Sequence, residues 1–221
     1  MTRKVFAFEI VLIVAALAAV AFAWPHLPAR APTHWNLQGR VDGYGTRWSL
    51  VWFGPGFMAG IMVLTWLLPW LSPRNFKVDS FKSTYRLVML MLFCFMAYLF
   101  GVMFLATFGY PIDAGRAITA GVCLLLALIG NRLGKIRRNF YIGLRTPWTL
   151  ASERVWNASH RFAARILVVA GLIGFILAIA GLIEFAVMAI IAASLASVVY
   201  SLVYYKQLER RGELGDPLAR G

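Results

Sequence analysis

Long apolar runs alternate with short polar intervals along this chain. Six runs, approximately residues 5–24, 48–71, 87–109, 117–133, 163–183 and 185–205, reach or approach the 20 or so mainly apolar residues a bilayer-spanning helix needs. The fourth is the shortest. Little more than Glu184 separates the last two, which predicts a tight helical hairpin. In the second run Gly54-Pro55-Gly56 predicts a kink, because proline removes a helical hydrogen bond. Gly56 and Gly60 also offer a small-xxx-small face for close helix packing. The expected fold is all-α, a polytopic membrane protein built as a six-helix bundle.

Composition strengthens that reading. The chain is 61% hydrophobic and 14% charged, whereas a soluble domain carries about 25% charged residues. Soluble catalytic and nucleic-acid-binding folds are set aside on that ground. A formal net charge of +13 would suggest nucleic acid in a soluble protein; in a membrane protein, the placement of the cations matters first. Arg3 and Lys4, the interval from Arg74 to Arg86, the interval from Arg132 to Arg165 and the tail hold all but four of the 22 Lys and Arg residues. The remaining four, Arg30, Arg40, Arg47 and Arg116, fall on the opposite side. Positive charge gathers on the cytoplasmic side, so both termini and the 139–161 interval are expected to be cytoplasmic. The tail, 206–221, is polar and expected to be mobile. Cys94 and Cys123 lie within apolar runs and read as inert core residues.

The first segment imitates a signal peptide, with a basic start and Ala21-Phe22-Ala23 at its end. Glu9 and the length of the apolar run favour a retained helix instead. Glu9 is also an intramembrane carboxylate, a costly feature that calls for a partner; Arg86 or an arginine of the 132–165 interval lies at a suitable depth.

Two polar intervals carry unusual chemistry. The outer one, residues 25–47, has three prolines by Pro32, which keep it extended, and an Asp42-Gly43 pair that predicts a tight turn. Its ligand candidates are His34, Trp35, Asn36, Gly39, Asp42 and Gly43. An interfacial cap with Trp35, Tyr44 and Trp48 at headgroup depth is the structural alternative.

In the inner interval, Thr146-Pro147 is a helix start with threonine as cap and proline at the first position. One helix is expected from Pro147 into the fifth span. Its helical phase places Trp148, Ser152, Val155 and Ser159 on one face, with Trp156 near it. Glu153, Asn157, His160 and Arg161 fall on the other, with i,i+4 bonds along that polar face. Arg145, just before the helix, is placed to clamp a carboxylate or a lipid phosphate. No HExxH, CxxC, GxSxG or P-loop pattern occurs. An enzyme, a metal site and a cofactor are not expected.

The run Asn139-x-x-x-Gly143-x-Arg145-Thr146-Pro147-Trp148-Thr149-Leu150, then Ser152-Glu153-x-Val155-Trp156 and, further on, His160-Arg161, resembles the signature of the SdpI immunity-protein family. Pro32-x-His34-Trp35-Asn36-x-x-Gly39-x-x-Asp42-Gly43-Tyr44 resembles the DUF1648-like region that often precedes it. On that resemblance the chain divides into a DUF1648-like region, 1–71, an SdpI-like region, 72–205, and the tail, 206–221. The resemblance implies a bacterial multi-pass membrane protein that protects its cell from a secreted peptide toxin. In the family's best-known member it also implies recruitment of a cytoplasmic transcriptional repressor. It implies partner-binding positions at the quoted inner residues and at Asn157, without roles for each. A small transporter or lipid- or ion-handling protein is the alternative, suggested by Glu9, the Gly54-Pro55-Gly56 break and Arg145.

Overall fold

A computed structural model describes residues 3–36, 38–73 and 76–214. Six helices are long and apolar enough to cross a membrane. They are α1 (Arg3–Ala23), α2 (Ser49–Trp70), α3 (Lys82–Thr107), α4 (Ala114–Leu133), α6 (Glu153–Ile179) and α7 (Ile183–Arg210). A short helix, α5 (Pro147–Ala151), lies between α4 and α6. A two-stranded antiparallel hairpin, β1 (Arg30–Trp35) and β2 (Val41–Thr46), joins α1 to α2. Because the spans alternate in direction, the hairpin and the α4–α6 interval sit at opposite ends of the bundle.

The predicted kink is present. Gly54 leaves helical geometry at φ −96° and ψ −105° inside a widened turn that contains Pro55. A side chain at Gly54 would run into the Phe100 ring of α3, so the bend brings α2 against α3. The proposed Gly56–Gly60 packing face does not form: Gly60 has no atom within 4 Å of where a Cβ would stand, and Gly56 meets only its own helix. The close approaches lie between α4 and α6, the most extensive helix pair. A Cβ on Gly171 would come 2.7 Å from the Cys123 carbonyl and 2.8 Å from Ala127 Cβ. In a membrane, apolar helices gain little from leaving lipid, so close van der Waals contact through small residues holds them together.

Three buried clusters follow the chain. Ile13, Ala16 and Val20 of α1 pack on Met58, Phe93 and Phe100 toward the hairpin end. Trp156, Tyr85, Met89, Leu133 and Ile136 form a second cluster at the other end. Ala120, Cys123, Ala178 and Ala186 seam α4, α6 and α7. Cys123 is buried and Cys94 exposed, so only one of the two is a core residue; both are unpaired.

Two further expectations are corrected. Helix α7 runs to Arg210 rather than stopping at 205, and Leu214 and Glu213 accept hydrogen bonds from Ser152 and Arg154; residues 215–221 lie outside the described residues. Asp42-Gly43 is not the turn but part of β2. Asn36 takes over the turn, its Oδ1 accepting from the Gln38 and Arg40 amides at 3.0 Å each, with Gly39 at φ 74°. An asparagine side chain that mimics the backbone competes well with an Asp-Gly pair for the reversal.

The glycine contrast is testable. Gly171→Ala is expected to lower the thermal unfolding midpoint of the purified protein in micelles, with overpacking outweighing the propensity gain by about 1–2 kcal/mol. Gly60→Ala should leave the midpoint unchanged or raise it. Equal midpoints for the two variants would refute the close-packed α4–α6 seam.

Candidate functional site

The α4–α6 interval is a self-satisfied loop. Asn139 is fully buried. Its Nδ2 donates to the Arg137 and Ile142 carbonyls at 2.8 and 3.1 Å, and its Oδ1 accepts from the Tyr141 and Ile142 amides at 2.7 and 2.8 Å. All of the amide's capacity is used. Arg145, exposed, closes the same turn by donating from Nη1 to the Phe140 carbonyl; it spends one donor on its own loop rather than standing clear of it.

Gly143 then takes φ 111°, and a Cβ there would collide with His160 Nε2. That closeness lets the Leu144 amide donate to His160 Nε2 at 3.1 Å, while His160 Nδ1 lies 2.8 Å from the Trp156 carbonyl. With an amide N–H on one nitrogen and a carbonyl on the other, the bonds select the neutral tautomer protonated at Nδ1. The imidazole stacks on Trp156 at 4.0 Å between centroids, and Trp156 Nε1 donates to the Ile136 carbonyl at 2.8 Å.

Thr146 caps α5 as the Thr-Pro start predicts. The Thr149 amide donates to Thr146 Oγ1, and Thr149 Oγ1 accepts from the Thr146 amide at 2.9 Å and donates to the Leu144 carbonyl at 2.8 Å. Pro147 occupies the first turn, and Trp148 Nε1 donates to Ser201 Oγ of α7 at 2.7 Å. The single helix expected from Pro147 is broken. Ser152 is extended at φ −136° and ψ 128°, and its carbonyl starts α6 by accepting from the Trp156 amide.

The loop also packs over one edge of α6, and two assignments change. His160, expected on the polar face, is 1% exposed, and Trp156, expected near the interface, is fully buried. Glu153 and Arg161 remain exposed and Asn157 half-exposed. The expected i,i+4 bonds among them are absent from the described residues; Glu153 lies 3.9 Å from Arg137 instead.

At the hairpin end, His34 Nδ1 lies 2.5 Å from Asp42 Oδ1 across the strands, and a Cβ on Gly43 would stand 2.8 Å from His34 Cβ. The turn is fixed to the bundle: Gln38 Nε2 donates to Glu184 Oε1 of α7 at 3.0 Å, and Gly39 faces Asp113 and Gly115 at the start of α4. Beneath β1 opens a mainly apolar concavity of about 380 Å³. It is lined by His34, Trp35 and Asn36 above and by Phe57, Met103 and Ile118 among others below. The apolar half of this site, from α2, α3 and α4, carries no motif and was not foreseen.

Glu9 is buried toward the bundle, 1% exposed, and its Oε2 has no hydrogen-bond partner. The expected arginine partner is not found among the described residues. No group of three or more His, Cys, Asp or Glu gathers among them either.

Residues 135–205 match the model of the SdpI/YfhL protein family, and residues 11–59 match a domain of unknown function, DUF1648. The chain is also 37% identical over 110 residues to the immunity protein SdpI of Bacillus subtilis (strain 168), covering 47% of this chain and 52% of that protein. Over these stretches the chain is similar to the SdpI family. It spans about half the length of this curated relative. No solved structure matches. The SdpI match begins at Lys135, just after α4, and so takes in the whole loop built on Asn139 and His160. The DUF1648 match takes in the hairpin and the Gly54 kink. This is a multi-pass membrane protein with the SdpI signature at one end and the hairpin concavity at the other.

The Asn139 turn gives a graded expectation. Asn139→Ala orphans two amides and two carbonyls, each worth about 1–3 kcal/mol when buried without a partner, and should sharply lower the unfolding midpoint in micelles. Asn139→Asp keeps the two accepted bonds and should fall between. Exposed Arg145→Ala should cost least. An Asn139→Ala midpoint indistinguishable from wild type would sink this account of the loop.

Proposed function

We propose that this chain is a membrane immunity protein that protects its cell from a secreted, membrane-active peptide at the outer surface. The observation that carries the reading is the hairpin concavity, in a chain whose SdpI region is similar to an immunity protein. A peptide that attacks membranes presents apolar side chains beside a polar backbone. The concavity offers the complement: Phe57, Met103 and Ile118 for the side chains, and His34, Trp35 and Asn36 along the rim. Concave, mostly apolar sites with a few placed polar groups are the usual form of a binding pocket.

The orientation that serves this function puts the hairpin outside and the termini in the cytoplasm, as the bias of Lys and Arg to the other end favours. The cytoplasmic face then carries Glu153, Arg154 and Arg145, exposed and charged. This face docks the cytoplasmic partner, a transcriptional repressor in the reading that the family likeness supports. The His34, Asp42 and Gly43 contacts hold β1 against β2 over the concavity and so shape the rim; Asn36 shapes the turn, and Gln38 and Gly39 fix it to the bundle.

Ile118→Trp fills the concavity from its floor. In cells challenged with the cognate peptide it should lower protection about tenfold, equivalent to about 1.4 kcal/mol of binding, with membrane levels of the protein unchanged. Full protection by that variant would exclude the concavity as the peptide's site. Failure of the wild-type chain to protect against any membrane-active peptide would remove the immunity reading.

Orientation is read separately, in a Cys94→Ala/Cys123→Ala background. Gln38→Cys should react with a membrane-impermeant maleimide in intact cells, and Lys135→Cys only after permeabilisation. The reverse pattern would invert the proposal.

A further inference from the structure

At the end of the bundle away from the hairpin, a second concavity of about 430 Å³ opens between the start of α3, the end of α4 and the first turns of α6. Its character is the opposite of the first. Ser83 and Thr84 come from the first turn of α3, Lys135 and Arg137 from the segment just after α4, and Asn157 and Arg161 from successive turns of α6. We propose that this concavity is a phosphate-binding site.

Three cations from two separate segments converge on one hollow, together with the hydroxyls of Ser80, Ser83 and Thr84 and one amide. Like charges held this close repel unless an anion sits among them. The nearest carboxylate offsets only part of this charge: Glu153 pairs with Arg137 at 3.9 Å, longer than a hydrogen bond, while Lys135 and Arg161 have no carboxylate partner among the described residues, and Asp79 pairs with Lys82 at 3.6 Å. Lys135, Arg161, Asn157, Ser83 and Thr84 make no side-chain hydrogen bond or ion pair among the described residues, so their donors are available. The start of α3 follows directly on a 3₁₀ turn, Val78–Phe81, and makes no side-chain cap bond.

The donor set selects the anion. Guanidinium groups bind phosphate oxygens in pairs, a lysine adds a point charge, and hydroxyls and an amide take the remaining lone pairs. A tetrahedral phosphate presents oxygens in enough directions to engage α3, α4 and α6 at once, whereas a planar carboxylate does not. The ligand chemistry is therefore a phosphate ester or phosphate ion. Two sources carry it: the phosphodiester of an anionic lipid headgroup, at the depth where these helices leave the apolar zone, or a soluble phosphate. The site uses no hairpin residue, so it stands apart from the peptide concavity and from the immunity reading.

The test uses the full chain in nanodiscs of phosphatidylcholine with or without phosphatidylglycerol, scored by lipids retained in native mass spectrometry. A parallel arm measures the thermal midpoint in micelles with inorganic phosphate against chloride at matched ionic strength. Lys135→Gln/Arg161→Gln removes two pocket charges; Arg210→Gln/Arg211→Gln removes two exposed charges at the same end of the bundle. Retention of phosphatidylglycerol over phosphatidylcholine that drops about tenfold in the pocket pair and not in the control pair supports a lipid phosphodiester. A phosphate-specific rise in midpoint, lost in the pocket pair alone, supports a soluble phosphate. Thr84→Glu, which places a carboxylate in the hollow from a half-exposed position, should reproduce either loss and serves if the double variant does not fold. If neither arm responds in the wild type, or pocket and control pairs lose equally, the proposal fails.

Discussion

An irregular chain at the end of a membrane bundle must satisfy its own backbone polar groups, because lipid offers no partners and a packed helix end offers few. Asn139 and His160 do this here. Between them they bond five backbone groups of the loop and bracket Gly143, whose backbone alone allows the loop to pass over the imidazole. His160 also takes the carbonyl of Trp156, and Trp156 takes that of Ile136, so the loop, the end of α4 and the start of α6 form one bonded body. A charged imidazole would present N–H to the Leu144 amide and break the chain of bonds. Neutral histidine is therefore a structural requirement of this fold.

That body sets where the other parts stand. Helix α6 continues from it without a break to Ile179, packed along α4. Trp148 reaches Ser201 in the second half of α7, while Glu184 in the first turn of α7 holds Gln38 of the hairpin. One helix thus touches both polar ends of the molecule. The two concavities differ as their surroundings do: one under β1 with apolar walls from α2, α3 and α4, the other at the basic end with donors from α3, the segment after α4 and α6.

The six spans were legible because a bilayer imposes length and composition on each helix independently, and the kink because glycine and proline act locally. The Thr146-Pro147 start was legible for the same reason. What failed was phase and choice. A helical wheel does not show that the loop folds back over the Trp156–His160 edge of α6, and that cover puts His160 in the core. Asp42-Gly43 and Asn36 with Gly39 both offer a reversal; only the docking of Gln38 and Gly39 against α4 and α7 decides between them. Gly56 and Gly60 have the right spacing for close packing, but spacing does not say which helix stands opposite. The apolar floor of the hairpin concavity left no mark, because Phe57, Met103 and Ile118 are ordinary residues of three separate spans.

The family signature itself divides in two. Asn139, Thr149, Ser152, Trp156 and His160 are buried, and their polar atoms are bonded within the protein. Their identities follow from folding this loop, and substituting them would disturb the loop before it disturbed anything else. Asn157 and Arg161 are different, since their donors face the basic hollow without a partner among the described residues. A residue whose bonding capacity is spent internally cannot also recognise a ligand without unmaking the loop, while one that keeps its donors open costs the fold little. On that argument the proposed phosphate site draws on Asn157 and Arg161, with Lys135 beside them, while the buried part of the signature holds them in place and exposed Arg145 and Glu153 are left to the proposed docking face.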